Sequence, residues 1–131
     1  MSTATGKATE NKTEVTFAKV GQPAPDFNLP STKNLETLAE NVSLSDYKGK
    51  WLILMFYPLD FTFVCPTELT AFSDRLDELN GVGAEVIGIS TDSVHSHRAW
   101  IKTPRDQNGV ADLQYPLASD VGGRLAAKYN I

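Results

Sequence analysis

Cysteine is almost missing from this chain of 131 residues, which contains a single one, Cys65. One thiol forms no disulfide within the chain, so the sequence favours a reducing compartment, and we expect a cytoplasmic protein. Long hydrophobic runs are missing too, because the longest, residues 51–57, falls far short of the roughly 20 residues of a membrane span. The net charge of −4 includes no block of Lys or Arg, which argues against nucleic acid and membranes as partners.

The N-terminal stretch also lacks an apolar segment. Residues 1–14 have no hydrophobic core of the kind that a secretory signal needs, and we predict a flexible tail there. The remaining residues, 15–131, fall within the usual length of one domain and can bury a modest core.

Apolar segments separated by turn residues predict the strands of an α/β fold. Residues 51–57 form a continuous apolar run, typical of a central strand covered on both faces, and residues 84–89 predict a second buried strand. A short strand is predicted over 115–118. Phe27 and Leu29 alternate between prolines, as in an edge strand, and a loop or hairpin is expected over 35–46.

Helices are predicted between these strands. One amphipathic helix follows from apolar residues at spacings of three and four, and Asn80 and Gly81 mark its end. The stripe consists of Leu69, Phe72, Leu76 and Leu79. Further helices are predicted over 92–103, with Trp100 in the core, and around 125–129. The alternation of strands and helices predicts a mostly parallel sheet flanked by helices, with reactive groups at the carboxyl ends of the strands.

Cys65 meets that expectation, because it comes eight residues after Tyr57 and just ahead of the helical stripe. The positive end of a helix stabilises thiolate over thiol, and the thiolate is the nucleophile. Two starts of the helix are open, one with Thr62 as N-cap and one with Cys65 itself as N-cap. A buried structural cysteine is the alternative to a nucleophile.

Other chemistries find little support. Glu68 occupies the position where a Cys-x-x-Cys oxidoreductase has its second thiol. His95 and His97 lie two residues apart on a predicted helix and point in different directions, so we expect no shared metal. A pair of Cys65 with one of these histidines is an alternative that lacks a recognisable orienting group.

Residues 56–68 resemble the active-site segment of the peroxiredoxins, in particular the typical two-cysteine (AhpC/thioredoxin peroxidase) subgroup. The similarity extends, in family order, through residues 21–27, 88–93, 99–104 and 115–120. It implies a thioredoxin-like α/β fold and the reduction of hydrogen peroxide and organic hydroperoxides.

The resemblance also implies roles for four residues. Cys65 would be the peroxidatic cysteine, which peroxide oxidises to sulfenic acid. The hydroxyl of Thr62 and the backbone N–H of Cys65 would bind the peroxide, Pro58 would wall the pocket, and Glu68 would support the local polar network. An external thiol such as thioredoxin would be the reductant, and no cofactor is expected. The resemblance also implies a homo-oligomer with an antioxidant role in cell redox homeostasis.

The sequence departs from the family pattern at two points. Family members continue past the point that corresponds to Ile131, into further strands, an arginine beside the sulfur and a resolving cysteine. The resemblance therefore implies a fold whose C-terminal strands are absent, with an exposed sheet edge. We expect a thiol peroxidase of impaired activity, and the alternative is a noncatalytic fragment acting as an interaction or holdase module. The arginines that do not match the family position are Arg75, Arg98, Arg105 and Arg124.

Overall fold

A three-stranded parallel sheet forms the centre of the computed structural model, which describes residues 17–62 and 65–131. The predicted tail over 1–14 lies outside the described residues. Strand β3 (Trp51–Phe56) pairs with β4 (Ala84–Ser90), and β4 pairs in turn with β5 (Leu117–Ser119). Both pairings are parallel, so the predicted parallel sheet is confirmed.

The prediction that residues 51–57 form the central strand is wrong. Strand β4 lies between the other two and is buried along its length except at Glu85, which is half-buried. Within the described part of the chain β3 is bonded on one side only, its side chains are half-buried, and Trp51 is 77% exposed. An apolar run shows that a strand has apolar neighbours, but it does not show how many strands flank it.

A second, smaller sheet lies beside the first. Strands β1 (Asn28–Pro30) and β2 (Asn41–Ser43) pair antiparallel, with Leu29 opposite Val42. A bridge between Ser31 and Ala118 connects this hairpin to β5. The predicted edge strand and hairpin are therefore confirmed. A 3₁₀ helix, Leu44–Tyr47, leads from β2 toward β3.

The first predicted helix is present as two segments, α1 (Cys65–Asp74) and α2 (Leu76–Gly81). They separate at Arg75, whose φ of −109° and ψ of 16° leave the helical region. Its carbonyl accepts hydrogen bonds from the N–H groups of both Glu78 and Leu79, which starts the second segment. The predicted apolar face and the stop at Gly81 are confirmed, while the prediction of one continuous helix is wrong.

Two further helices complete the described part of the chain. Helix α3 (Val94–Ile101) starts at Ser93, whose side chain caps it by accepting from the N–H of Ser96. A 3₁₀ helix, Arg105–Gln107, follows it, and α4 (Arg124–Lys128) comes after β5. None of the helices described is both long and apolar enough to cross a lipid bilayer.

The main sheet separates two apolar clusters, because successive side chains of β4 point to opposite faces. Val86 packs on one face with Leu69 and Trp100, and Ile87 and Ile89 pack on the other. Trp100 is fully buried, which confirms its assignment to the core. The helices and the β1–β2 hairpin thus cover a sheet whose carboxyl ends are free to carry polar groups.

Candidate active site

The connection between β3 and α1 carries the residues that the sequence singled out. Pro58 is exposed just after the end of β3, and Thr62 is half-buried, with its hydroxyl donating to the carbonyl oxygen of Leu59 at 3.2 Å. Helix α1 begins at Cys65, so the predicted position of the cysteine at a helix start is confirmed. Because Cys65 is itself a helical residue, the alternative with Cys65 as N-cap is wrong. The alternative with Thr62 as N-cap depends on residues 63 and 64, which lie outside the described residues.

A cavity of about 310 Å³ opens beside Pro58, at the carboxyl ends of β3 and β4. Its lining is mostly apolar and includes Phe56, Ile89, Ala126 and Ile131. This is the edge of the sheet at which a parallel α/β fold places its reactive groups. Pro58 lines this cavity, whereas Thr62 is not among the lining residues.

Glu68 lies in the first turn of α1, and its side chain is exposed. A carboxylate at this position interacts favourably with the positive end of the helix. That interaction is the alternative to its predicted role in a polar network.

A buried polar cluster that the sequence did not predict lies beneath the same connection, formed by Tyr57, Asp60 and His97. The hydroxyl of Tyr57 donates to Asp60 Oδ1 at 2.7 Å, and His97 Nδ1 lies 2.7 Å from Asp60 Oδ2. Ser96 Oγ donates to the same Oδ2 at 2.8 Å. His97 is fully buried, and Asp60 and Tyr57 are 7% and 8% exposed. These hydrogen bonds attach the connection between β3 and α1 to helix α3.

The hydrogen bonds define how many protons the pair of Asp60 and His97 holds. His97 Nε2 lies 3.0 Å from the carbonyl oxygen of Ala118, which only accepts, so Nε2 is protonated. The short contact between Nδ1 and the Asp60 carboxyl group needs a second proton between them. Since one proton lies between the two side chains, the pair is neutral as a whole, which reduces the penalty of burying it.

One signal in the sequence could have revealed the buried histidine. His97, Trp100 and Ile101 have the spacing of three and four that defines one helix face, and all three are buried. His95 lies off this face and is exposed. No three or more His, Cys, Asp or Glu side chains within the described ranges come together in a group that could hold a metal ion.

The buried tyrosines predict a loss of stability in alkali. Burial raises the pKa of Tyr57, and the charge of Asp60 raises it further; burial also raises the pKa of Tyr115. Both keep their protons in the folded protein, whereas unfolded tyrosine ionises near pH 10. Their contribution to stability is therefore complete below pH 10 and declines as the pH rises above it. The expected decline from these two side chains is about 2.7 kcal/mol per pH unit, at roughly 1.36 for each.

Urea denaturation between pH 8 and pH 11 measures this decline. In Tyr57→Phe we expect the loss of stability between pH 10 and pH 11 to be smaller by about 1 kcal/mol, because one retained proton is removed. The slopes are compared, since the lost hydrogen bond to Asp60 also changes the stability at pH 8. Tyrosinate absorbance that rises fully near pH 10 in the folded protein would contradict the prediction.

Comparisons with known proteins agree with this architecture. The AhpC/TSA family matches residues 20–131. The chain is 50% identical over 114 residues to peroxiredoxin-2 of Pongo abelii, a match that covers 87% of this chain and 63% of that relative. This chain therefore spans less than two thirds of the length of that relative.

Two solved structures are similar as well. The reduced 2-Cys peroxiredoxin of Plasmodium vivax has a TM-score of 0.80 and 37% identity, covering 86% of this chain and 69% of that chain. Thioredoxin peroxidase I of Plasmodium yoelii has a TM-score of 0.75 and 40% identity, covering 82% of this chain and 62% of that chain. The structural likeness confirms the predicted thioredoxin-like α/β fold.

Proposed function

Because this chain belongs to the AhpC/TSA family of peroxiredoxins, we propose that it is a thiol-dependent peroxidase that reduces hydrogen peroxide and organic hydroperoxides. The observation that carries the proposal is the position of Cys65 as the first residue of α1, on the connection from the carboxyl end of β3. Pro58 and Thr62 precede it on the same connection.

The start of α1 favours the thiolate that such a reaction needs. The first N–H groups of a helix have no intrahelical partners, and their partial positive charge lowers the pKa of a nearby thiol. The thiolate of Cys65 would attack one oxygen of the peroxide, forming an S–O bond as the O–O bond breaks. The leaving oxygen takes up a proton and departs as water or an alcohol, and Cys65 becomes a sulfenic acid.

Thr62 and Pro58 supply what the reaction needs around the sulfur. The hydroxyl proton of Thr62 is directed at Leu59, so its oxygen is left to accept the O–H of a peroxide. The backbone N–H of Cys65 would donate to the reacting oxygens and stabilise their developing charge. Pro58 would limit the access of water from the apolar cavity that it lines. Glu68 would support these groups from the first turn of the helix.

The proposed partners follow from the same chemistry. These 131 residues hold no thiol other than that of Cys65, and we propose that a thiol from another molecule reduces its sulfenate. We propose thioredoxin as this reductant, which is supported by the name thioredoxin peroxidase of one structural relative. We propose that the protein forms a homo-oligomer in the cytoplasm and has a role in redox homeostasis.

A second candidate is the noncatalytic interaction or holdase module. It is favoured by the one-sided pairing of β3 within the described ranges and by the exposure of Trp51 at the start of that strand. Unpaired strand edges beside apolar side chains bind other chains readily. In this case Cys65 would have no reactivity beyond that of an ordinary thiol.

Trapping of the sulfenic acid separates the two candidates. The reduced protein is treated with stoichiometric hydrogen peroxide in the presence of dimedone, and the adduct is located by peptide mass spectrometry. We expect one adduct at Cys65 in the wild type and none in Cys65→Ser. In Thr62→Val we expect much slower adduct formation, and in Thr62→Ser, which keeps the hydroxyl, close to the wild-type rate. A wild type without an adduct would favour the interaction module.

A further inference from the structure

Asp60 reverses the usual distribution of polar and apolar side chains on the connection between β3 and α1. Its carboxylate is buried, with 7% of the residue exposed, while its neighbours Leu59 and Phe61 are each 51% exposed. Aspartate is almost never buried unless it is paired, and leucine and phenylalanine usually are buried. The inversion indicates that specific partners hold Asp60 in the interior.

Those partners belong to other elements of the fold. The carboxylate accepts from Tyr57 at the end of β3 and bonds Ser96 and His97 of α3, at distances of 2.7, 2.8 and 2.7 Å. The backbone N–H of Asp60 donates to Asp92 Oδ2 at 2.6 Å. One residue thus ties the connection to the beginning of α3 through side-chain and backbone bonds.

The α3 side of this contact is fixed in turn to the sheet. His97 Nε2 donates to the carbonyl oxygen of Ala118 in β5. The hydroxyl of Ser119 donates to the carbonyl oxygen of Asp92, and the N–H of Asp92 donates to the hydroxyl of Ser90 in β4. His97 and Asp92, which bond Asp60, are therefore themselves hydrogen-bonded to strands β4 and β5.

The backbone next to Asp60 needs such support. Phe61 has a φ of 61°, in the left-handed region that a residue other than glycine rarely adopts. Conformations of this kind persist when the surrounding structure holds them. Asp60 supplies hydrogen bonds immediately before Phe61, and the ring of Phe61 lies 6.0 Å from that of Trp100.

From these contacts we infer that Asp60 is a positioning residue, which fixes the path of the connection from Pro58 to Thr62 and so orients the peroxide-binding groups ahead of Cys65. The effect on the reaction rests on the proposed function, whereas the fixing of the backbone does not. A carboxylate is needed because both of its oxygens accept, Oδ1 from the buried Tyr57 and Oδ2 from the half-buried Ser96. An asparagine would turn an NH₂ group toward at least one of those donors.

Hydrogen exchange tests the fixing of the backbone directly. We compare the wild type, Asp60→Asn and the control Asp74→Asn, whose exposed carboxylate pairs with Arg105. In Asp60→Asn we expect exchange of the backbone amides within residues 57–62, of which Pro58 has none, to rise at least tenfold, with the protection of β4 retained. Asp74→Asn should exchange as the wild type does. Wild-type exchange over 57–62 in a folded Asp60→Asn would overturn the inference.

The reaction of Cys65 provides the second readout. Misplaced reacting groups can slow a reaction by about 100-fold, so we expect the rate with hydrogen peroxide to fall at least tenfold in Asp60→Asn. Alkylation by iodoacetamide, which needs no peroxide-binding groups, should change less than threefold. Equal falls in both rates would contradict a positioning role. If the wild type itself reacts with peroxide as free cysteine does, the proposed function fails, and the exchange experiment alone decides the inference.

A milder pair of variants keeps the test valid if Asp60→Asn does not fold. Ser96→Ala removes one of the bonds to Asp60, and Ser96→Thr keeps the hydroxyl. We expect faster exchange over 57–62 in Ser96→Ala and recovery in Ser96→Thr. Exchange in Ser96→Ala that equals the wild type would overturn the inference.

Discussion

Replacement of Trp100 by alanine is expected to remove a large part of the stability of the folded protein. Trp100 is fully buried in the cluster that includes Leu69 and Leu117, and its indole N–H donates to the carbonyl oxygen of Asn108 at 2.7 Å. Loss of a buried tryptophan side chain costs about 3–5 kcal/mol. A small domain has a total stability of about 5–15 kcal/mol, so the loss is a large part of the total.

Trp51 provides a matched control, because it is the other tryptophan of the chain and is 77% exposed. Trp51→Ala should change the free energy of unfolding by no more than about 0.5 kcal/mol. Urea denaturation followed by circular dichroism measures both variants. A Trp100→Ala protein that unfolds at the urea concentration of Trp51→Ala would show that the described core is wrong.

Replacement of Gly109 by alanine is expected to be the most damaging change of a single methyl group among the described glycines. A Cβ atom at this position would lie 1.9 Å from the carbonyl oxygen of Thr103 and 2.3 Å from its carbonyl carbon. These are backbone atoms, so no side chain can rotate away to make room. The cost should reach or exceed the upper end of the roughly 1–3 kcal/mol that overpacking usually brings.

The damage would spread through the loop around Gly109. The N–H of Gly109 donates to Pro104, and those of Val110 and Ala111 donate to Trp100 and Thr103. An alanine must open this loop and so weaken its hydrogen bonds. Gly81→Ala is the control, since Gly81 ends α2, lacks a positive φ and has nothing within 4 Å of an added Cβ.

Thermal unfolding of the two glycine variants measures the difference. Gly81→Ala should be neutral or more stable by up to about 1 kcal/mol, because alanine restricts the unfolded chain. Gly109→Ala should unfold at a clearly lower temperature. Equal melting temperatures would contradict the close packing of Gly109 on Thr103.

The sequence was sufficient to predict most of the elements, because their signals are local. The apolar stripe through Leu69 and Leu76 follows from helical periodicity, and the stop at Gly81 follows from the residue type. The order of strands in the sheet is a property of long-range pairing. Residues 51–57 therefore predicted a strand correctly but its place wrongly, since β4 and not β3 is flanked on both sides.

The residues of the site also fall into two groups, those that lie close together in the sequence and those that only long-range packing brings together. Pro58, Thr62 and Cys65 lie close together in the sequence, and a motif can present them as a unit. Asp60 and His97 are 37 positions apart and meet only because α3 packs beside the connection that follows β3. Spacing along the chain carries no sign of such a contact, although the helix face shared by His97 and Trp100 predicts that the histidine is buried.

The rate of reaction between reduced protein and hydrogen peroxide tests the central claim most directly. Stopped-flow measurement with equimolar peroxide gives the second-order rate constant of Cys65, which is divided by that of free cysteine thiolate at the same pH. A positioned hydrogen-bond donor contributes about 100- to 1,000-fold to a reaction that develops charge on oxygen. The backbone N–H of Cys65 is that donor in the proposed function, which therefore predicts a ratio of at least about 100. Loss of the accepting hydroxyl in Thr62→Val should lower the ratio, and Thr62→Ser, which keeps the hydroxyl, should retain it. A ratio near one in the wild type would contradict the proposed function.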